Sequence, residues 1–118
     1  MARLIKRGQI WIVNLDPGYG IEIRKKRPAL IISADSLNNY SKKVIVIPLS
    51  SKNYPGPEMV KVSKVIGLSK DSYILPAEIR AVDKNRLIKK IGRLSKMEIK
   101  EVEEAIKLVL GMINLDSV

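Results

Sequence analysis

The hydrophobic pattern of this 118-residue chain changes period once, at Ser95, and that change limits the fold more than any other feature. Upstream, apolar residues come in short runs rich in Val and Ile: QIWIVNL at 9–15, PALIIS at 28–33, VIVIPLSS at 44–51 and EMVKVSKVI at 58–66. Runs of this kind, bounded by proline, glycine and polar clusters, predict short strands. Ser72–Leu75, Glu78–Val82 and Leu87–Leu94 add further short strands. Downstream, Ile99, Val102, Ile106, Val109 and Ile113 recur at three- and four-residue spacing with charges between them, the stripe of an amphipathic helix. Ser95 and Glu98 stand at the spacing of a capping box. Strands followed by one helix predict an α+β architecture, a curled sheet or small barrel with the helix packed on it. With no repeat or linker in view, residues 1–118 read as one domain that buries about two thirds of its unfolded surface.

The connections carry their own information. Asp16-Pro17-Gly18 stops the first strand, and residues 16–27 then form a connection of about twelve residues. Loops that long inside a compact domain carry function or lack order. Pro28 has no N–H, so it suits the first position of the second strand, and it biases Arg27 toward an extended backbone. Pro48 predicts an edge or a bulge in the third strand, and DSLNNYSKK at 35–43 reads as a polar connection.

Charge divides unevenly. Residues 1–94 hold 19 Lys and Arg against 7 Asp and Glu, whereas residues 95–118 hold 3 against 5. A basic body points to a polyanionic partner such as nucleic acid; Lys-rich solubility is the plain alternative. No apolar run approaches the ~18 residues that span a bilayer. The start, MARLIKRGQIW, lacks the apolar stretch of a signal peptide, so a cytoplasmic protein without membrane attachment is expected.

Absent residue types narrow the chemistry further. Without histidine or cysteine there is no His acid–base catalysis, no thiol nucleophile, no disulfide and no ordinary zinc site. No P-loop occurs, and the acids are scattered rather than paired for two metals. Arg, Lys, Ser, Tyr and isolated carboxylates remain, with no cofactor required. RNA cleavage suits that set, because the 2′-OH of RNA is itself the nucleophile. The protein then has to align one linkage, move two protons and stabilise charge on the phosphate. A guanidinium fork is well matched to that charge.

The stretch EIRKKRPALIIS at 22–33 holds four consecutive cations before its proline. Position alone leaves Arg27 open between a phosphate ligand and a strand-entry arginine paired with a carboxylate. Ser50 is open between a reactive hydroxyl and a serine that satisfies a turn amide. Arg24, Lys25 and Lys26 read equally as phosphate contacts or solvated charges, and Glu22 as a general base or an ion-pair partner. Tyr19, Tyr40 and Tyr54 fall in predicted loops where a base can stack, while Trp11 and Tyr73 belong to strand cores. Lys84, Arg86, Lys89, Lys90 and Arg93 read as a solvated face.

RGQIWIVNLDP at 7–17, EIRKKRPALIIS at 22–33, VIVIPLSS at 44–51 and DSYILPAEIRAVDKNRL at 71–87 occur in one order. Together these blocks resemble the MazF/PemK toxin family of sequence-specific endoribonucleases. The resemblance implies an SH3-like barrel with a C-terminal helix that forms a homodimer and cuts single-stranded RNA such as mRNA without metal. It implies 2′,3′-cyclic phosphate and 5′-OH products, and neutralisation by an antitoxin with an acidic, disordered tail. It places the family's catalytic arginine on Arg27, its catalytic hydroxyl on Ser50 and its loop glutamate on Glu22. RNA contacts are implied for Tyr19, Arg24, Lys25, Lys26, Ser51 and Arg80. Two departures stand out. Glu78 stands where many relatives have glutamine, and its carboxylate would repel phosphate, so no RNA contact is carried over to it; cations fill positions 24–26 where relatives often carry small or neutral residues. Two rival functions share the composition: a toxin of the same fold that poisons DNA gyrase, and a non-catalytic RNA-binding module.

Overall fold

A computed structural model describes residues 4–17, 20, 25–52, 59–62, 68 and 70–113. The chain runs β1 (Gln9–Asn14), β2 (Lys26–Ile31), α1 (Asp35–Tyr40), β3 (Lys43–Ser50), β4 (Val60–Val62), β5 (Ser72–Ile74), β6 (Arg80–Asp83), β7 (Leu87–Arg93) and α2 (Lys96–Val109). The described pairings are all antiparallel, in the order β4-β5-β3-β2-β1-β7, with β6 also alongside β3. The predicted curled sheet with a C-terminal helix is the fold observed.

The curl centres on β3, which changes partner partway along. Lys43 to Val46 pair with β6, and Leu49 and Ser50 pair with β5. Pro48 sits at this changeover, so of the expected edge or bulge the edge is ruled out: β3 is an interior strand. Its carbonyl accepts from the Leu75 N–H at 3.1 Å. In a strand, N–H and C=O of one residue point the same way, so the missing amide of Pro48 also faces the junction and costs no ladder bond.

Successive residues of the central strands enter opposite clusters, because both sheet faces are covered. Ile10, Leu30, Ile47, Leu49 and Ile74 pack with Leu94, Val102 and Ala105 on the face that α2 covers. Trp11, Val13, Ala29, Ile31, Val44 and Val46 pack with Ile5, Val82 and Leu87 on the other. Double burial explains why VIVI and LII read as continuous apolar runs instead of alternating ones. It also bears out the core reading of Trp11, whose indole N–H donates to Gln9 Oε1 at 3.0 Å.

The helix begins where the capping box puts it. Ser95 Oγ accepts from the Glu98 N–H at 3.2 Å, and Glu98 Oε1 accepts from the Ser95 N–H at 2.9 Å. Arg7 fastens α2 to the sheet, with its Nη2 on Glu103 at 2.8 Å and its Nε on the Ile32 carbonyl at 3.0 Å. Gly8 (φ +92°) runs close beneath the helix: a Cβ there would stand 2.7 Å from Ile99 Cδ1. Ile113, assigned to the helical stripe from its spacing, lies past the helix end and is 40% exposed.

Other boundaries differ from expectation. Strand β2 starts at Lys26, two residues before Pro28, and β6 starts at Arg80, after a 3-10 turn at Pro76–Glu78. The 35–43 connection holds α1. Buried Asn38 anchors it, donating from Nδ2 to the Ser33 carbonyl at 3.0 Å and accepting from Ser33 Oγ. That same Oγ accepts the Ile45 N–H at 3.0 Å, so a polar stretch is folded by one satisfied buried amide. Among the described residues, no helix is long and apolar enough to cross a membrane.

Candidate functional site

The ladder between β2 and β3 ends at Ala29 and Pro48. Pro28 has no amide to extend it. Carried two residues further, the same register sets Arg27 opposite Ser50. Arg27 is steadied from its other side by Val13 of β1, and Ser50 by Tyr73 of β5. Four neighbouring strands therefore meet in one row at this end of the sheet.

A cleft of about 350 Å³ opens there. Lys25, Lys26, Arg27 and Pro28 line it from β2 and its approach, and Leu49, Ser50 and Ser51 line it from the end of β3. Leu68, Lys70 and Ser72 reach it from the approach to β5. Buried Leu49 and Leu68 give it apolar surface, whereas Lys25, Lys26 and Lys70 are exposed and Arg27 is half-buried. Its described lining holds four cations and no carboxylate. Such a site attracts an anion with an apolar part.

The hydroxyls are set by local turns. Ser50 is only 4% exposed, and its Oγ accepts from the Lys52 N–H at 3.2 Å. The turn-amide role is thus real, and it leaves the hydroxyl proton for a second bond. Ser72 Oγ donates to the Lys70 carbonyl at 3.3 Å.

The long loop is closed at its stem. The Leu15 N–H donates to the Lys25 carbonyl at 2.9 Å, and the Lys25 N–H donates to Asp16 Oδ1 at 2.9 Å. Arg86 Nη1 donates to the carbonyls of Asn14, at 3.1 Å, and Asp16. Lys25 takes a left-handed conformation, φ 71°, an uncommon state for a residue with a side chain. This kink turns the chain into β2 and sets the direction in which Arg27 enters.

The structure thus brings together Lys25, Lys26, Arg27, Ser50 and Ser51 among the predicted site residues. Arg80 lies outside the cleft lining, opposite Val46 at the head of β6. Glu78 occupies the 3-10 turn that packs against α2. Glu22, Arg24 and Tyr19 fall outside the described residues, as does Tyr54. Tyr40, 89% exposed at the end of α1, is also outside the lining. Lys70, Ser72 and Asp16 were not anticipated. Lys70 and Ser72 reach the cleft only through the β3–β5 pairing, which no local pattern announces. Asp16 showed only as a turn former. Arg86, expected to be solvated, is instead half-buried against the loop stem, and Lys84 Nζ donates to the Asn38 carbonyl.

Comparison with known proteins places this geometry in context. Residues 6–110 match the family model described as PemK-like, MazF-like toxin of type II toxin-antitoxin system. Endoribonuclease MazF9 of Mycobacterium tuberculosis is 33% identical, over 92% of this chain and 98% of that protein. Endoribonuclease MazF of Staphylococcus saprophyticus is 38% identical, over 92% and 93% respectively. Among solved structures, MazF from Deinococcus radiodurans superposes with a TM-score of 0.83 at 23% identity, covering 94% of this chain and 100% of that one. A mycobacterial endoribonuclease in complex with its cognate antitoxin superposes with a TM-score of 0.76 at 23% identity, covering 93% and 98%. With the family model spanning most of its length and two such relatives aligned nearly end to end, the chain belongs to the PemK/MazF family of type II toxins.

Proposed function

We propose that this protein is a metal-independent, sequence-specific endoribonuclease that cuts single-stranded RNA by attack of the 2′-OH on the adjacent phosphate. The observation that carries the reading is the meeting of Arg27 and Ser50 in one cleft whose described lining holds four cations and no carboxylate. The names of the relatives, both endoribonucleases, agree with it.

In this mechanism the 2′ oxygen forms a bond to phosphorus as the bond to the 5′ oxygen breaks. The products are a 2′,3′-cyclic phosphate and a 5′-OH end. Negative charge grows on the non-bridging oxygens, where the Arg27 guanidinium offers a fixed donor fork and Ser50 offers its hydroxyl proton. We assign the 2′ proton to Glu22. Protonation of the leaving oxygen falls to a donor at the cleft rim, since a guanidinium gives up its proton poorly. Lys25, Lys26 and Ser51 hold the flanking backbone. A partner antitoxin with an acidic tail suits the same cations, and a homodimer is the assembly we assign, as the MazF resemblance implies.

Incubating the purified protein with a mixed-sequence RNA in EDTA tests this directly. Discrete cuts are expected, together with their loss when the nucleotide at the cut carries 2′-deoxyribose. Intact RNA with retained binding would instead support a non-catalytic RNA-binding module. Intact RNA together with inhibition of DNA gyrase would support the gyrase-poison reading.

A further inference from the structure

Arg27 and Ser50 are assigned above, but the cation on the other side of the cleft is not. Lys70 stands three residues before Tyr73, the residue that pairs with Ser50 across β3 and β5. Its wall therefore lies two interstrand spacings from β2, about 10 Å between backbones. Beneath the exposed Lys70 side chain the main chain is fixed: its carbonyl accepts from Ser72 Oγ at 3.3 Å, and Ser72 is 6% exposed. Leu68, two residues earlier, is likewise 6% exposed and packs into the core. A cation on an anchored segment thus faces the β2 cations across apolar Leu49 and Leu68.

The order of the strands orders the contacts. Arg27 on β2 and Ser50 on β3 close on one phosphate, so the cation one strand further out meets the next phosphate along the chain. We propose that Lys70 binds the phosphate neighbouring the scissile one and so directs the RNA across the sheet from β2 toward β5. The assignment rests on the ribonuclease reading of the cleft and adds a substrate-binding residue to it.

Binding is measured on RNA made uncleavable by a 2′-deoxy residue at the cut site, across a range of salt concentrations. For Lys70→Ala, the slope of log K against log salt should shrink by about 0.7, the contribution of one phosphate on a single strand. Affinity should fall alike for cut-site and unrelated sequences, as for any backbone contact. Lys70→Arg should restore the slope, and replacing the neighbouring phosphate by a neutral methylphosphonate should erase the difference between wild type and Lys70→Ala. On cleavable RNA, Lys70→Ala should raise KM and leave kcat unchanged. An unchanged salt slope, or a fall in kcat at constant KM, overturns the assignment. If the slope difference appears but no RNA is cut, the ribonuclease reading fails and the Lys70 contact stands. If RNA is cut and no slope difference appears, the outcome is the reverse.

Discussion

Arg27 and Ser50 line one cleft but depend on the fold differently, and their variants should separate those dependences. Arg27 is half-buried at a strand entry, so Arg27→Ala should lower cleavage by about 10²-fold or more while the melting temperature holds. A single-turnover rate and a thermal melt on the same preparation check both. Ser50 supplies a hydroxyl and also satisfies the Lys52 amide. Ser50→Ala should therefore slow cleavage and also cost about 1 kcal/mol of stability, measured by urea unfolding. Sequence reading could single out Arg27 because it directly precedes Pro28, although the strand itself begins one residue earlier than Arg27, at Lys26. It could not choose between the two roles of Ser50, since the structure gives one oxygen both a turn to close and a cleft to face. Lys25 was legible as a charge only. Nothing in its side chain announces the left-handed backbone, at which its amide donates to the Asp16 carboxylate.

At the scale of elements, the start of α2 was legible to the residue, its end was read too far along, and α1 was not legible at all. The cap of α2 is local: Ser95 and Glu98 reciprocate within one turn, and the stripe behind them repeats. Ser95→Ala should cost about 1 kcal/mol, while Glu98→Gln, which keeps an acceptor oxygen, should cost less. Urea denaturation of the two variants side by side checks the order. In contrast, α1 is folded by Asn38, whose partner Ser33 is itself held by the Ile45 N–H of β3, and a polar stretch gives no sign of that burial. The Gly8 turn beneath α2 belongs to the same scale. Gly8→Ala should cost about 1–2 kcal/mol, chiefly through its left-handed φ. Adding Ile99→Val, which removes the clashing Cδ1, should recover only the steric remainder. A double-mutant cycle on melting temperature separates the two parts.

Over the whole molecule, the sheet that forms the core is also the sheet that builds the cleft. The short runs foretold the strands, but their pairing order came from contacts between residues far apart in the chain, which one sequence does not display. Ile47 and Leu49 are buried in the same strand that ends at Ser50. Ile47→Ala should lose about 2–5 kcal/mol, and its residual cleavage should fall on warming well before that of the wild type. Activity followed against temperature, beside an unfolding curve, tests whether the two losses coincide.

The partner change along β3 has a further consequence, one for genetics. Because Pro48 marks where this strand leaves β6 for β5, the strand's last two residues hold position only if both sets of neighbours form. An insertion or deletion within it shifts Ser50 relative to one set of neighbours unless a bulge absorbs the extra residue. A selection for inactive variants should therefore recover single-residue insertions at 44–49, whereas insertions at the turn of half-buried Ser41 and exposed Lys42 should be recovered less often. The strand would then behave as a fixed ruler between the two ends of the protein, and its length, as much as its side chains, would be under selection.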